Sequence, residues 1–199
     1  MILVFAIAIG LLAGYLKARF DGISYQTTEL RCLWLVLLAA LPQYLIYSLP
    51  VTREKVSDQW IPFFLISTQL ILLLFVWLNR KSPSFWLLGM GLLLNFVVIS
   101  LNGGWMPISP ATLESQNIPS SQWQLGSRFG YSKDLVMAKE SINLWILSDI
   151  LTLPKGIPYR VAFSIGDVLL SLGVIGFLIH NKQADRETRK VYLQENLKP

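Results

Sequence analysis

Chemistry in this 199-residue sequence begins with a few polar side chains set inside apolar runs: Asn95, Asn102, Ser164 and Asp167. Ser164, Asp167 and Ser171 follow one another at spacings of three and four, which places them in one stripe on a helix. Asn95 and Asn102 are seven residues apart, with Gly91 four before Asn95, and share nearly one helical face. Helices over 84–101 and 160–179 would put Asn95 and Asp167 at the same depth, roughly 10 Å below one surface, where they could face each other. An ionisable group that deep costs about 2–3 kcal/mol unless it is paired or protonated. Two chemistries fit. Asp167, Asn95, Asn102 and Ser164 could line a pocket for a cation, a proton or a polar group, with Asp167 as its charged or proton-carrying member. Equally, an Asp167–Asn95 hydrogen bond could lock two helices together, or Asp167 could bind loop amides.

A second candidate adjoins them, the segment Asn102 to Pro110, NGGWMPISP. Gly103 after Asn102 suits a left-handed helix end, and Pro107 and Pro110 prevent the helix from resuming. Termination explains much of this pattern. Gly103 and Gly104 would also let a ligand or a second backbone come close, and the run from Trp105 could cover a cavity mouth.

Other chemistries are poorly served. One cysteine, Cys32, and one histidine, His180, supply neither the ligands of a structural zinc site nor a disulfide nor a bis-histidine haem. No cofactor or metal is expected, and neither residue receives a role. Trp123, Arg128, Tyr131, Lys133, Asp134 and Glu140 lie in a polar stretch without diagnostic spacing and read as a solvated loop. Asp149, inside the short apolar run INLWILSDILTL, reads as the wet face of that run. Gln43, Tyr44, Tyr47 and Ser48 could add polar groups to the same end, although an interfacial aromatic belt explains the tyrosines.

The elements that must position these groups are membrane helices. The chain is 53% hydrophobic and 15% charged, with a mean hydropathy of +0.51. Its apolar residues fall in blocks approaching the roughly 20 needed to cross a hydrocarbon core. The expected fold is an all-α integral membrane protein of five transmembrane helices, about 2–16, 30–49, 61–78, 84–101 and 160–179. An outer loop over 102–159 would carry a short interfacial or re-entrant helix at 142–153, and 182–199 would be a cytoplasmic tail. Pro42 predicts a kink in the second helix. The first block carries Lys17 and Arg19 after it and no charge before it, opposite to a cleavable signal peptide. Arg31, Arg80, Lys81 and the basic tail share that side, which makes it cytoplasmic and puts the amino terminus outside. The net charge of +5 therefore reads as helix anchoring, and no nucleic-acid partner is expected.

The NGGWMPISP turn, together with ILSDILTLP and FSIGDVLLSLG, resembles a family of small, multi-spanning bacterial membrane proteins of unknown function. Its members share an N-G-G-x-M-P turn and an S-I-G-D motif opening the last helix. The matching positions are Asn102, Gly103, Gly104, Met106 and Pro107, then Ser164, Ile165, Gly166 and Asp167, with Asp149 as the acid of the short apolar segment. The resemblance implies an architecture and a bacterial plasma-membrane location, but no activity; the loop around 131–134 departs from the pattern.

Binding or transport of a small polar or cationic ligand at an outward-facing intramembrane site is the leading expectation. Membrane lipids, and a homo-oligomer or a membrane-protein partner, are the expected company. An accessory subunit of a larger membrane complex is the alternative. A membrane-embedded enzyme on a lipid-linked substrate stands behind both, because no acid–base pair has a recognisable spacing.

Overall fold

The computed structural model describes residues 2–154, 156 and 159–180, so the expected tail at 182–199 lies outside the described residues. The chain is mostly helical: α1 (Ile2–Phe20), α2 (Trp34–Tyr47), α3 (Pro50–Arg53), α4 (Ile61–Leu78), α5 (Ser84–Leu101), α6 (Pro110–Ser115) and α7 (Ile165–Ile179). Three stretches are long and apolar enough to cross a membrane, Ile2–Phe20, Asp58–Leu78 and Ser84–Leu101. Apolar α2 and α7 are shorter, at 14 and 15 residues, or roughly 21–23 Å. Leu37, Phe63 and Trp86, among many large apolar side chains, are more than half exposed on the outer surfaces.

The long helices pack in the order α1, α7, α5, α4, α2, and α1 and α2 barely touch. The result is an open arc, not a closed ring. Small residues set the closest crossings. A Cβ on Gly91 would strike the Gly166 carbonyl and the Leu170 amide, and one on Gly173 would strike Leu88. On α1, Ala6, Gly10, Gly14 and Ala18 form the buried stripe, with Gly14 against the Leu178 backbone. Facing small residues let helix backbones approach closely. At the end bearing Arg31 and Arg80, Asn79 donates to the Arg31 carbonyl (3.0 Å) and accepts from its amide (2.8 Å). Tyr25 donates to the Leu178 carbonyl at 2.7 Å. Leu35, Phe75, Phe85, Leu92 and Phe177 form the core at this end.

The other end is capped by the segment between α5 and α7, and here the chain is not all helical. β1 (Met106–Ile108) pairs in parallel with β2 (Asp134–Val136), Met106 opposite Asp134. β3 (Leu151–Thr152) pairs antiparallel with β4 (Ala162–Phe163). The cap has its own small core of Ile108, Leu113, Ile118 and Val136.

Several bounds differ from the sequence expectation for identifiable reasons. α1 continues to Phe20, because Lys17 and Arg19 sit in its last turn, where cations are favourable. α2 starts at Trp34 because Cys32 has a left-handed φ of 52° that a helix cannot contain. α7 starts at Ile165 because 162–163 are committed to the β3–β4 pair and Ser164, extended, caps the helix. The segment 142–153 holds no α-helix: Leu144 is left-handed (φ 55°), and a 3-10 turn, Trp145–Leu147, leads into β3. Asn102 holds it in place, accepting from the Asn143 amide (2.9 Å) and donating to its carbonyl (2.9 Å) and to the Val98 carbonyl (2.7 Å). Replacing Asn102 by Ala should cost about 2 kcal/mol through these lost buried bonds. Limited proteolysis should then cut first near 139–147, and unchanged protection there would contradict this anchoring.

Candidate functional site

The Asn95, Ser164 and Asp167 side chains form one closed set of hydrogen bonds between α5 and α7. Ser164 Oγ accepts from the Asp167 amide (3.0 Å) while Asp167 Oδ2 accepts from the Ser164 amide (3.1 Å), a reciprocal cap on α7. Asn95 Nδ2 donates to Asp167 Oδ1 at 2.9 Å, and Ser164 Oγ donates to Asn95 Oδ1 at 2.8 Å. Asp167 is thus in the first turn of α7, where an N-terminal carboxylate is stabilised by the helix dipole. Gly166 is required beneath it, because a Cβ there would collide with Asn95 Oδ1.

The remaining sequence candidates lie apart from this set. Asn102 is occupied by Asn143 and Val98. Gly103 and Gly104 both have left-handed φ, 70° and 84°. A Cβ on Gly104 would strike Pro62 at the start of α4, while nothing lies within 4 Å of where one on Gly103 would be. Their positions suit a tight chain reversal packed on α4.

A second cluster, which the sequence reading treated as solvated, sits beside Asp167. Asp149 is 1% exposed, so the wet-face expectation is corrected. Its Oδ2 accepts from Lys133 Nζ at 2.7 Å, and the same ammonium reaches Asp134 Oδ1 at 3.2 Å. β1 holds these groups together: β2 carries Asp134, and the Asp149 amide donates to the Pro107 carbonyl (3.3 Å). Burial lowers the proton affinity of Lys133, but the charges of Asp134, Asp149 and Asp167 outweigh it and hold the ammonium firmly protonated. Burial pushes Asp149 up to about 7; Lys133 opposes the rise, and Asp134 and Asp167 add to it. Lys133 thus pairs with two carboxylates, Asp134 and Asp149, and also feels the charge of Asp167. Asp149 Oδ1 has no hydrogen-bond partner among the described residues.

This arrangement has a pH signature. A carboxyl raised in the fold favours folding below its unfolded value, near 3.8, and that contribution is lost as pH climbs to about 7. The difference in unfolding midpoint between Asp149→Asn and wild type should therefore shift in favour of the variant from pH 4 to pH 7. A pH-independent difference would contradict the burial of an ionisable Asp149.

Asn95 and Asp167 of the first cluster and Lys133 of the second line one cavity of about 480 Å³ within the arc of helices, inside the ~300–1,000 Å³ span of small-molecule sites. Its walls are mainly aliphatic and aromatic, from Leu3 and Ile7 on α1 through Val36 on α2 to Phe177 on α7. Polar groups gather at the cap end: Gln43, Gln69, Asn95, Lys133 and Asp167. Gln43 Nε2 donates to Thr68 Oγ1 at 2.8 Å. Gln69 is 8% exposed, and its Oε1 has no partner among the described residues. A buried carbonyl oxygen left unmatched costs roughly 1–3 kcal/mol and is an invitation to a donor. Among the described residues no group of three or more His, Cys, Asp or Glu could hold a metal ion.

Lys133, Asp149 and Gln69 were missed as site residues. Asp149 did carry a signal: an acid inside ILSDILTL needs a cation nearby.

No solved structure matches the chain. An uncharacterized protein of Thermotoga maritima is 28% identical over 118 residues, covering 57% of this chain and 61% of that protein. The chain thus spans under two thirds of that relative's length. A family model matches residues 27–179, which takes in α2 to α7, both clusters and most of the cavity wall, and the chain accordingly belongs to the family of unknown function DUF5317.

Proposed function

We propose that this protein binds, and in the fuller reading transports, a small polar or cationic ligand at the cap end of its intramembrane cavity. One observation carries the reading: an apolar cavity ends in a polar wall where Gln69 Oε1 is unmatched and the Asp167 carboxylate faces inward, while the Lys133 ammonium beside it is already paired with Asp134 and Asp149. Asp167 supplies the charge facing the ligand, Asn95 holds that carboxylate in place, and Gln69 accepts a hydrogen bond. Ser164 acts through Asn95 and Asp167, whereas Asn102, Gly103 and Gly104 build the turn that supports the cap.

The experiment is thermal unfolding of the protein in nanodiscs with methylammonium added at pH 7.5. Methylammonium should raise the wild-type midpoint in a saturable way, and Asp167→Asn should abolish the rise. No rise in wild type, or an equal rise in the variant, would remove Asp167 from ligand binding.

The same reading has α1, α2, α4, α5 and α7 all crossing a bacterial plasma membrane, with the amino terminus and the cap outside. Support comes from Lys17 and Arg19 in the last turn of α1 and from the Asn79 bonds that set Arg31 beside Arg80 and Lys81. Cys32, exposed at that end, serves as a reporter. A membrane-impermeant maleimide should not label it in intact cells, while Ser127→Cys in a Cys32→Ser background should be labelled. The opposite pattern would invert the orientation.

A further inference from the structure

The cavity extends far beyond the polar groups that a small cation would use. Along α7 it runs from Asp167 to Phe177 and Leu178, ten or eleven residues and roughly 15 Å, the reach of an alkyl chain of about a dozen carbons. Leu3 and Ile7 of α1, and Leu30 and Leu33 before α2 with Val36 in it, form two of its walls, and those two helices barely meet. The gap between them faces the position of the lipid tails. From these observations we infer that the site takes a single-chain amphiphile with an amine head, which enters sideways between α1 and α2 and lays its chain along α7. The inference rests on the polar-site reading above and names the ligand class of that site.

Chemistry at the head decides the class. Lys133 is already paired with Asp134 and Asp149, so it offers little to an anionic head. Gln69 Oε1 lacks a donor, and Asp167 keeps lone pairs beyond those used by Asn95 and Ser164. An ammonium supplies three donors and one positive charge. Volume excludes the larger candidates: about 480 Å³ accommodates one chain, not a two-chain phospholipid. Moving a chain from bilayer to cavity gains little, because lipid is as apolar as the cavity wall. Selectivity must then reside in the head.

The test uses the full-length protein in phosphatidylcholine nanodiscs and dodecylamine carrying a diazirine on its last carbon. Illumination should give adducts at the far end of the cavity, on Leu88 or Phe177. A tenfold excess of plain dodecylamine should reduce them to about a tenth by mass action, while the same excess of dodecanoate should change them less than about twofold. Val36→Trp, which fills the cavity wall, should lose these adducts yet keep its stabilisation by methylammonium, which also reports that the variant is folded. Adducts confined to outward-facing residues such as Leu37 and Trp86, or equal competition by dodecanoate, would overturn the inference and leave the polar site intact if methylammonium still stabilises. Absence of methylammonium stabilisation in wild type would instead bring down the polar site itself.

Discussion

Replacing Lys133 by Met should destabilise the protein by about 3 kcal/mol at pH 8, because it strands Asp149 in a buried position without its cation. Asp149 is 1% exposed and receives the ammonium at 2.7 Å. The loss should shrink toward pH 5. Without Lys133 the carboxyl rises further, takes up a proton and becomes neutral, so the stability difference from wild type grows as pH increases. A second change, Asp149→Leu on the Lys133→Met background, should recover most of the loss, since a removed buried pair costs far less than a broken one. Denaturant unfolding of the two variants at both pH values measures this. Equal stability of Lys133→Met and wild type at pH 8 would mean that the cluster is solvated.

Gly91→Val should cost about as much, roughly 3 kcal/mol, by a different route. Its Cβ meets the Gly166 carbonyl and the Leu170 amide, both backbone, so no side-chain rotation relieves the clash. α5 and α7 must separate, and the Asn95–Asp167 bond one turn away lengthens with them. The variant should therefore lose methylammonium stabilisation along with its own. Gly103→Ala is the control: its Cβ meets nothing, and only the left-handed backbone is penalised, by about 1 kcal/mol. If both variants unfolded alike, close helix approach would not be what Gly91 provides.

The helices were legible where the apolar runs were uninterrupted. α4 and α5 have the bounds expected of them, 61–78 and 84–101, since Pro62 and Pro83 mark their starts. Shared depth suggested that Asn95 and Asp167 could meet, and they do, although α7 begins five residues later than expected. Local competition explains that delay: residues 162–163 find strand partners at 151–152, and Ser164 is a better cap than Arg160. The polar cluster was less legible. Lys133 and Asp149 are sixteen residues apart and are brought together by β1, which precedes both in sequence. A three-residue strand leaves almost no periodic trace. The cavity was not legible at all, because it arises from the sparse contact between α1 and α2, and apolar residues facing a void read the same as residues facing a neighbour.

A density map of the protein extracted from its own membrane into nanodiscs would show what occupies the cavity. Elongated density is expected between α1 and α2, with one end within hydrogen-bond reach of Gln69 and Asp167. Helices α1 and α2 closed side by side, with Gln69 satisfied by a protein group and nothing between them, would contradict it.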